Sequence, residues 1–419
     1  MGLPTICPIV HPLTRPMAHP YLESAQHDAA EFVALRRDIH RHPELGLQEA
    51  RTADLIARRL EAWGYEVHRG LATTGVVGTL KRGDFAAKGS KRLGLRADMD
   101  ALPIQEASGA EWTSVHSGVM HACGHDGHSA MLLAAAKKIA LDGKFSGTLH
   151  LIFQPAEEHP GGAKLMVEQG LFERFPCDAI FAMHNMPGLA QGQLAFREGA
   201  AMASSDDVTI TVTGIGGHGA MPHLAADAIV AASSIVMALQ TIVSRNVDPQ
   251  HTAIVTVGAF NAGRANNVIS QSATLALSVR ALDAQVRDLL EARIKALVRA
   301  QADSFGVSAQ VNYKRDCPVL VNSPAETAFA RMVGIELLGS DRVIDNGRAQ
   351  TGSEDFAVML AHCPGSYLLI GNGAGAGNCM VHNPGYDFND DNVPVGAAYW
   401  ALLTERFLVP TSDLTLEAP

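Results

Sequence analysis

The middle of this chain limits its possible folds more than any other part. Between residues 208 and 313 the hydrophobic pattern reads strand, helix, strand, strand, helix, strand. An alternating strand at 208–212 is followed by a long apolar helix at 227–243, strands at 252–257 and 273–279, a helix at 284–302 and a strand at 309–313. That order is the one of ferredoxin-like α+β units. The flanks read differently. Helices at 25–40 and 53–64 precede short β-rich runs at 76–80 and 93–96, a buried Ala-rich helix at 129–140, and core strands at 148–153 and 179–183. After Pro318 the same texture returns, with a helix at 326–338, a strand at 366–371 and a helix at 393–407. The expectation is a discontinuous α/β domain with a mixed sheet, made of 21–192 and 315–419, an α+β ferredoxin-like domain inserted at 193–314, and a loose N-terminal arm at 1–20.

Length and charge narrow the function classes. At 419 residues the chain has room for two or three domains and a large core without disulfides. Lys and Arg number 33 against 43 Asp and Glu, a net charge of −10, which argues against nucleic acid and anionic membrane as partners. Six scattered Cys with no CxxC pair suit a reducing, cytoplasmic setting. No run of about 18 uninterrupted apolar residues occurs, and the Pro-rich segment 1–20 lacks the pattern of a signal peptide.

Chemistry concentrates at the predicted strand ends. His121-Ala122-Cys123-Gly124-His125-Asp126-Gly127-His128 packs a thiol, three imidazoles and a carboxylate into eight residues, a soft and borderline donor set suited to Zn²⁺ or a neighbouring divalent ion. The strand at 148–153 ends in Gln154-Pro155-Ala156-Glu157-Glu158, where one carboxylate can hold a metal while the other faces substrate as a general base. His184 closes another strand, His382 lies in a late loop, and Asp98 and Asp100 share one side of a strand end, as ligands or as supports behind them. A nucleophilic Cys123 paired with a His is the competing reading, and it leaves the carboxylates unexplained.

These motifs, together with Leu35-Arg36-Arg37-Asp38-Ile39-His40-Arg41-His42-Pro43-Glu44-Leu45, Gly217-His218-Gly219-Ala220-Met221-Pro222-His223 and Thr351-Gly352-Ser353-Glu354-Asp355-Phe356, resemble the amidohydrolase branch of the dinuclear metallopeptidases over about residues 28–408. That branch includes aminoacylases, hippurate hydrolases and plant enzymes acting on indole-acetyl amino acids. The resemblance implies that Cys123, His125, Glu158, His184 and His382 ligate two divalent ions (Zn, Mn or Co), that Glu157 is the general base and that Asp100 orients a ligand. Asp98 stands where related peptidases carry a metal-binding His. It further implies that His218 on the inserted lid/dimerisation domain reaches the substrate bound by the opposing subunit of a homodimer, and that Asn267 and Arg280 contact the substrate carboxylate and nearby atoms. Two departures stand out: Ser270 where a Pro is common, and His159-Pro160 in a usually Gly-rich stretch. The implied reaction is hydrolysis of an N-acyl amino acid. A dipeptidase or carboxypeptidase would use the same centre, and a non-catalytic metal-binding protein would have no use for a base beside a ligand.

Overall fold

The computed structural model describes residues 19–158, 161–374 and 379–409. A mixed eight-stranded sheet organises the larger part. From edge to edge its strands are Glu66–Leu71, Gly75–Arg82, Gly147–Gln154, Arg92–Asp98, Ala179–Pro187, Gly365–Gly373, Leu194–Ala195 and Val343–Ile344. The four from Gly147–Gln154 to Gly365–Gly373 run parallel. They read as nearly unbroken apolar runs because both faces are covered. On one side lie the helices Pro20–Arg41, Ala50–Ala62, His125–Asp142 and Asn392–Phe407, packed through Phe32, Ile39, Ile56, Leu60, Met131 and Trp400. On the other, Gly162–Glu168, Leu171–Arg174 and Phe356–Leu360 close a smaller core around Ile152, Met166, Ile180 and Phe356.

The central segment forms its own sheet, ordered Ala253–Ala262, Ser272–Ala281, Ser205–Thr213, Ser308–Cys317 and antiparallel throughout. One face is covered by Ala228–Arg245 and Ala284–Ser304 over Ile210, Leu275, Leu277, Ile235, Leu239 and Leu290. Among the described residues Ala228–Arg245 is the one helix long and apolar enough to cross a membrane by length and composition. Here it lays Ala231, Ala232, Ile235, Leu239 and Ile242 on the sheet.

Several boundaries differ from expectation. Leu194–Ala195 pairs within the large sheet, and the small sheet begins at Ser205 and ends at Cys317. The first helix starts at Pro20, five residues before the expected start at Ala25, with His19 Nδ1 accepting the Tyr21 N–H at 3.3 Å. Residues 1–18 of the expected arm lie outside the described residues. The Ala-rich helix begins at His125, so half of the His-Cys motif sits in its first turn.

Candidate metal centre

The parallel strands deliver their carboxyl ends to one edge, the edge where α/β sheets bind ligands. Asp98 ends one strand opposite Gln154 at the end of its neighbour, and His184 projects from the next. Gly124 then makes the His-Cys motif possible. Its φ of +89° is left-handed, and an added Cβ would collide with Asn185 Nδ2 and Tyr386 Oη. The chain turns there against the strand end, placing Cys123 just before the helix and His125 in its first turn. Ala156, at a φ of +52°, turns the chain after Gln154 and separates the two glutamates that follow.

Several donor clusters result, among them His125 with Asp98 and His128 and His125 with both glutamates; two triads, Cys123/His125/His184 and Cys123/Glu158/His382, likewise hold their donor atoms within 4.8 Å of one another. They share the Cys123 sulfur. His184 Nε2 lies 3.3 Å from Cys123 Sγ, with its Nδ1 held by the Asn185 carbonyl at 2.6 Å. His382 Nε2 lies 3.0 Å from Glu158 Oε1. Asp100 ties both sides together: Oδ1 is 3.1 Å from His125 Nδ1, and Oδ2 accepts the Glu158 N–H at 3.0 Å. That leaves His125 Nε2 buried with no hydrogen-bond partner among the described residues, aimed at the shared centre.

The electrostatics call for a cation. Burial works against charge on His125, yet Asp98, Asp100 and Glu158 push its pKa up to about 10. A positive charge is thus demanded where a divalent ion would replace the proton. Burial and the neighbouring His128 hold His184 well below the ordinary histidine range, in the neutral form a metal needs. Burial and the carboxylates of Glu158, Glu157 and Asp98 push the Cys123 thiol well up. A nucleophilic cysteine requires the opposite shift, so Cys123 suits a ligand whose thiolate is stabilised by the ion it binds. Glu157 has a different setting, 3.3 Å from the Asp355 N–H and clustered with Glu354 and Asp355. Burial and those carboxylates raise its proton affinity well above the ordinary glutamate range, against the pull of Arg96.

Comparison with known proteins places the chain in a family. Residues 94–406 match the family described as Peptidase family M20/M25/M40. The chain belongs to this family. It is 45% identical over 378 residues to hippurate hydrolase of Campylobacter jejuni, covering 90% of this chain and 97% of that protein. It is 38% identical over 389 residues to an IAA-amino acid hydrolase of Arabidopsis thaliana, covering 91% and 88%. A dinuclear metal-binding M20 peptidase of Bacillus subtilis superposes with a TM-score of 0.78 at 30% identity, covering 91% of this chain and 99% of that one. The protein is a hydrolase of the amidohydrolase kind, and its clustered thiol, imidazole and carboxylate donors have the chemistry to hold divalent metal.

Not every expected site residue of this M20 protein joins the centre. His218 is exposed, on a two-residue strand paired with Val268; its ring Nδ1 accepts the Ala220 N–H at 3.0 Å and its carbonyl the Met221 N–H at 2.8 Å. Asn267 is exposed beside it, its carbonyl accepting the Gly219 N–H at 2.8 Å. Their chain neighbours Gly217 and Val268 line an open groove of about 960 Å³ together with Arg264, Ile269, Ser270 and Gln271 among others. Arg280 sits at the opposite end of the strand Ser272–Ala281, its Nη1 donating to Ser205 Oγ at 2.5 Å. Asp98 is outside the two Cys123 triads but beside them: Oδ1 is 2.6 Å from His128 Nδ1, and Oδ2 accepts from Arg96 at 2.7 Å and lies 3.9 Å from His125 Nε2. His159 and Pro160 lie outside the described residues.

Several supporting groups were not foreseen as such. His128 links Asp98 to the Asn185 N–H, which its Nε2 accepts at 3.0 Å. Asn185 donates to the Cys123 carbonyl at 2.6 Å and accepts from Tyr386 at 2.6 Å. Arg96 and the pair Glu354–Asp355 form a buried network behind Glu157. For Arg96 a signal existed: an arginine inside the apolar strand Leu93-Gly94-Leu95-Arg96 must carry its own counter-charges.

Proposed function

We propose that this M20 amidohydrolase cleaves the amide bond of N-acyl amino acids, R–CO–NH–CHR′–COO⁻, using two divalent ions on the Cys123-sharing triads and Glu157 as general base. The observation that carries the reading is the different company of two adjacent glutamates. Both come within 4.8 Å of His125, but Glu158 clusters with His382 and Cys123, while Glu157 clusters with Glu354 and Asp355 and keeps a high proton affinity. When bound, the ions supply Lewis acidity that polarises the scissile carbonyl and acidifies water. Glu157 takes the proton of the attacking water and returns it to the leaving nitrogen, and a raised pKa lets one carboxylate do both. Arg280 offers a planar fork to the substrate carboxylate. The thiolate and imidazole donors favour Zn²⁺, Co²⁺ or Mn²⁺ over Mg²⁺ or Ca²⁺. Release of free amino acid from a panel of N-acetyl, N-benzoyl and dipeptide substrates tests the substrate class: dipeptides cleaved in preference to acylated amino acids would point instead to a peptidase. Cys123→Ser is expected to lower bound metal together with rate, measured by elemental analysis. Full activity in verified metal-free protein would reject the reading.

The same reading makes the enzyme a homodimer whose inserted domain lends His218 and Asn267 to the other subunit. Ser272 and Arg280 are separated by eight residues of continuous strand, about 26 Å. Asn267 and His218 sit beyond its Ser272 end, so one small substrate touching Arg280 needs them from a second chain. The helix Ala228–Arg245 leaves Val230 and Met237 50% and 72% exposed, and the edge strand Ala253–Ala262 exposes Phe260, a surface fit for two-fold pairing. Mixing His218→Ala subunits with Glu157→Gln subunits checks this. If His218 acts in trans, one hybrid site keeps both groups and activity returns. If it acts in cis, the mixture stays inactive.

A further inference from the structure

His382 is the proposed ligand farthest from regular secondary structure. His184 projects from the strand Ala179–Pro187, His125 opens the helix His125–Asp142, and Cys123 and Glu158 lie within a few residues of an element. His382 instead stands midway along the connection between Gly365–Gly373 and Asn392–Phe407. It has a left-handed φ of +66°, and its imidazole is half exposed. Its own anchors are the His382 N–H donated to the Ala122 carbonyl at 2.7 Å and the Glu158 contact. A loop in that conformation holds its shape only if its surroundings impose it.

The surroundings here come from the first helix. Arg36, fully buried, pairs with Asp387 and lies 3.5 Å from Asp390 Oδ1, both on the loop that carries His382. Its Nε is 2.9 Å from Asp126 Oδ2, and Asp126 adjoins His125 in the helix that carries the other triad. Arg37 donates to Asp390 Oδ2 at 2.8 Å and stacks 3.6 Å over Trp112, whose indole N–H donates to Asp387 Oδ1 at 3.2 Å. The Ala107 N–H, from the Trp112 loop, adds a bond to the Pro384 carbonyl at 2.8 Å. One guanidinium thus braces elements bearing ligands of both triads, more than 250 residues apart in sequence.

We infer that Arg36, Arg37 and Trp112 form a clamp of positioning residues that sets the His382 loop and so governs occupancy of the Cys123/Glu158/His382 site. Among the described residues none of them has a hydrogen bond or ion pair to a proposed metal donor. The inference rests on the two-metal reading above. Its consequence is selective on the loop side, because Asp387 and Trp112 meet the clamp only there, whereas the Arg36–Asp126 contact that braces the helix of the other triad stays in place when they are changed. Loosening that side weakens one ion and spares the other.

Zn²⁺ titration of chelator-stripped full-length protein by calorimetry tests it, with His382→Ala marking which binding step belongs to that site. Asp387→Asn keeps size and weakens the Arg36 pair. Trp112→Phe keeps a ring for Arg37 and removes only the indole N–H. Each is expected to weaken the step lost in His382→Ala by about tenfold or more, the usual cost of disturbing groups behind metal ligands, with the other step and the melting temperature of the stripped protein unchanged. Two steps of wild-type affinity in the folded variants overturn the clamp, as does equal weakening of both steps. A wild-type protein that binds fewer than two ions overturns the two-metal reading instead.

Discussion

Glu157→Gln is expected to lower kcat by about 10²–10⁴-fold, the range general acid–base catalysis contributes, while leaving metal content at the wild-type level. The amide keeps the volume of the carboxylate and can still accept the Asp355 N–H, but it can neither take a proton from water nor return one to the leaving nitrogen. Glu158→Gln should do the reverse. Its carboxylate faces His382 at 3.0 Å and shares a triad with Cys123, so its loss removes a charged ligand and metal content falls with rate. Elemental analysis beside steady-state kinetics separates the two. A Glu157→Gln protein that is metal-poor, with a metal-replete Glu158→Gln, means the two roles are interchanged.

The divergence behind this prediction was legible only as a possibility. A Glu-Glu pair directly after a buried strand announces two directions, but which carboxylate meets His382 depends on the turn at Ala156, and nothing in the sequence marks Ala156 for a positive φ. Long elements were easier. The helices and strands of the inserted sheet appear within a few residues of their expected limits, because each buries one face and carries the matching period. Leu194–Ala195 and Val343–Ile344 are too short for any period and owe their existence to the neighbouring strand Gly365–Gly373 and to each other. Donor types were visible for the same reason that supports were not. A ligand is recognised by its own chemistry, whereas Asn185, Tyr386 and His128 acquire their roles from groups tens to hundreds of residues away.

Arg96→Met is expected to destabilise the fold by about 3–5 kcal/mol, the cost of stripping one partner from a buried ionic network. Arg96 is 1% exposed and donates to Gln154 Oε1 at 2.9 Å, Asp98 Oδ2 at 2.7 Å, Glu354 Oε1 at 2.9 Å and Asp355 Oδ1 at 3.2 Å. No other cation among the described residues pairs with Glu354 or Asp355. Burial already drives the Asp355 pKa up to about 8 against the pull of Arg96, so removing the guanidinium leaves carboxyls that must take up protons or unfold the site. Removing an acid along with the base relieves part of this. Arg96→Met combined with Glu354→Gln should therefore cost less than the sum of the single changes, with a coupling of about 0.5–3 kcal/mol in denaturant unfolding. Rate should not recover with stability, because the Asp355 N–H that meets Glu157 depends on the same network. An Arg96→Met protein within about 1 kcal/mol of wild type, well below the 3–5 kcal/mol expected for a buried pair, would mean that water or a bound ion already satisfies these carboxylates.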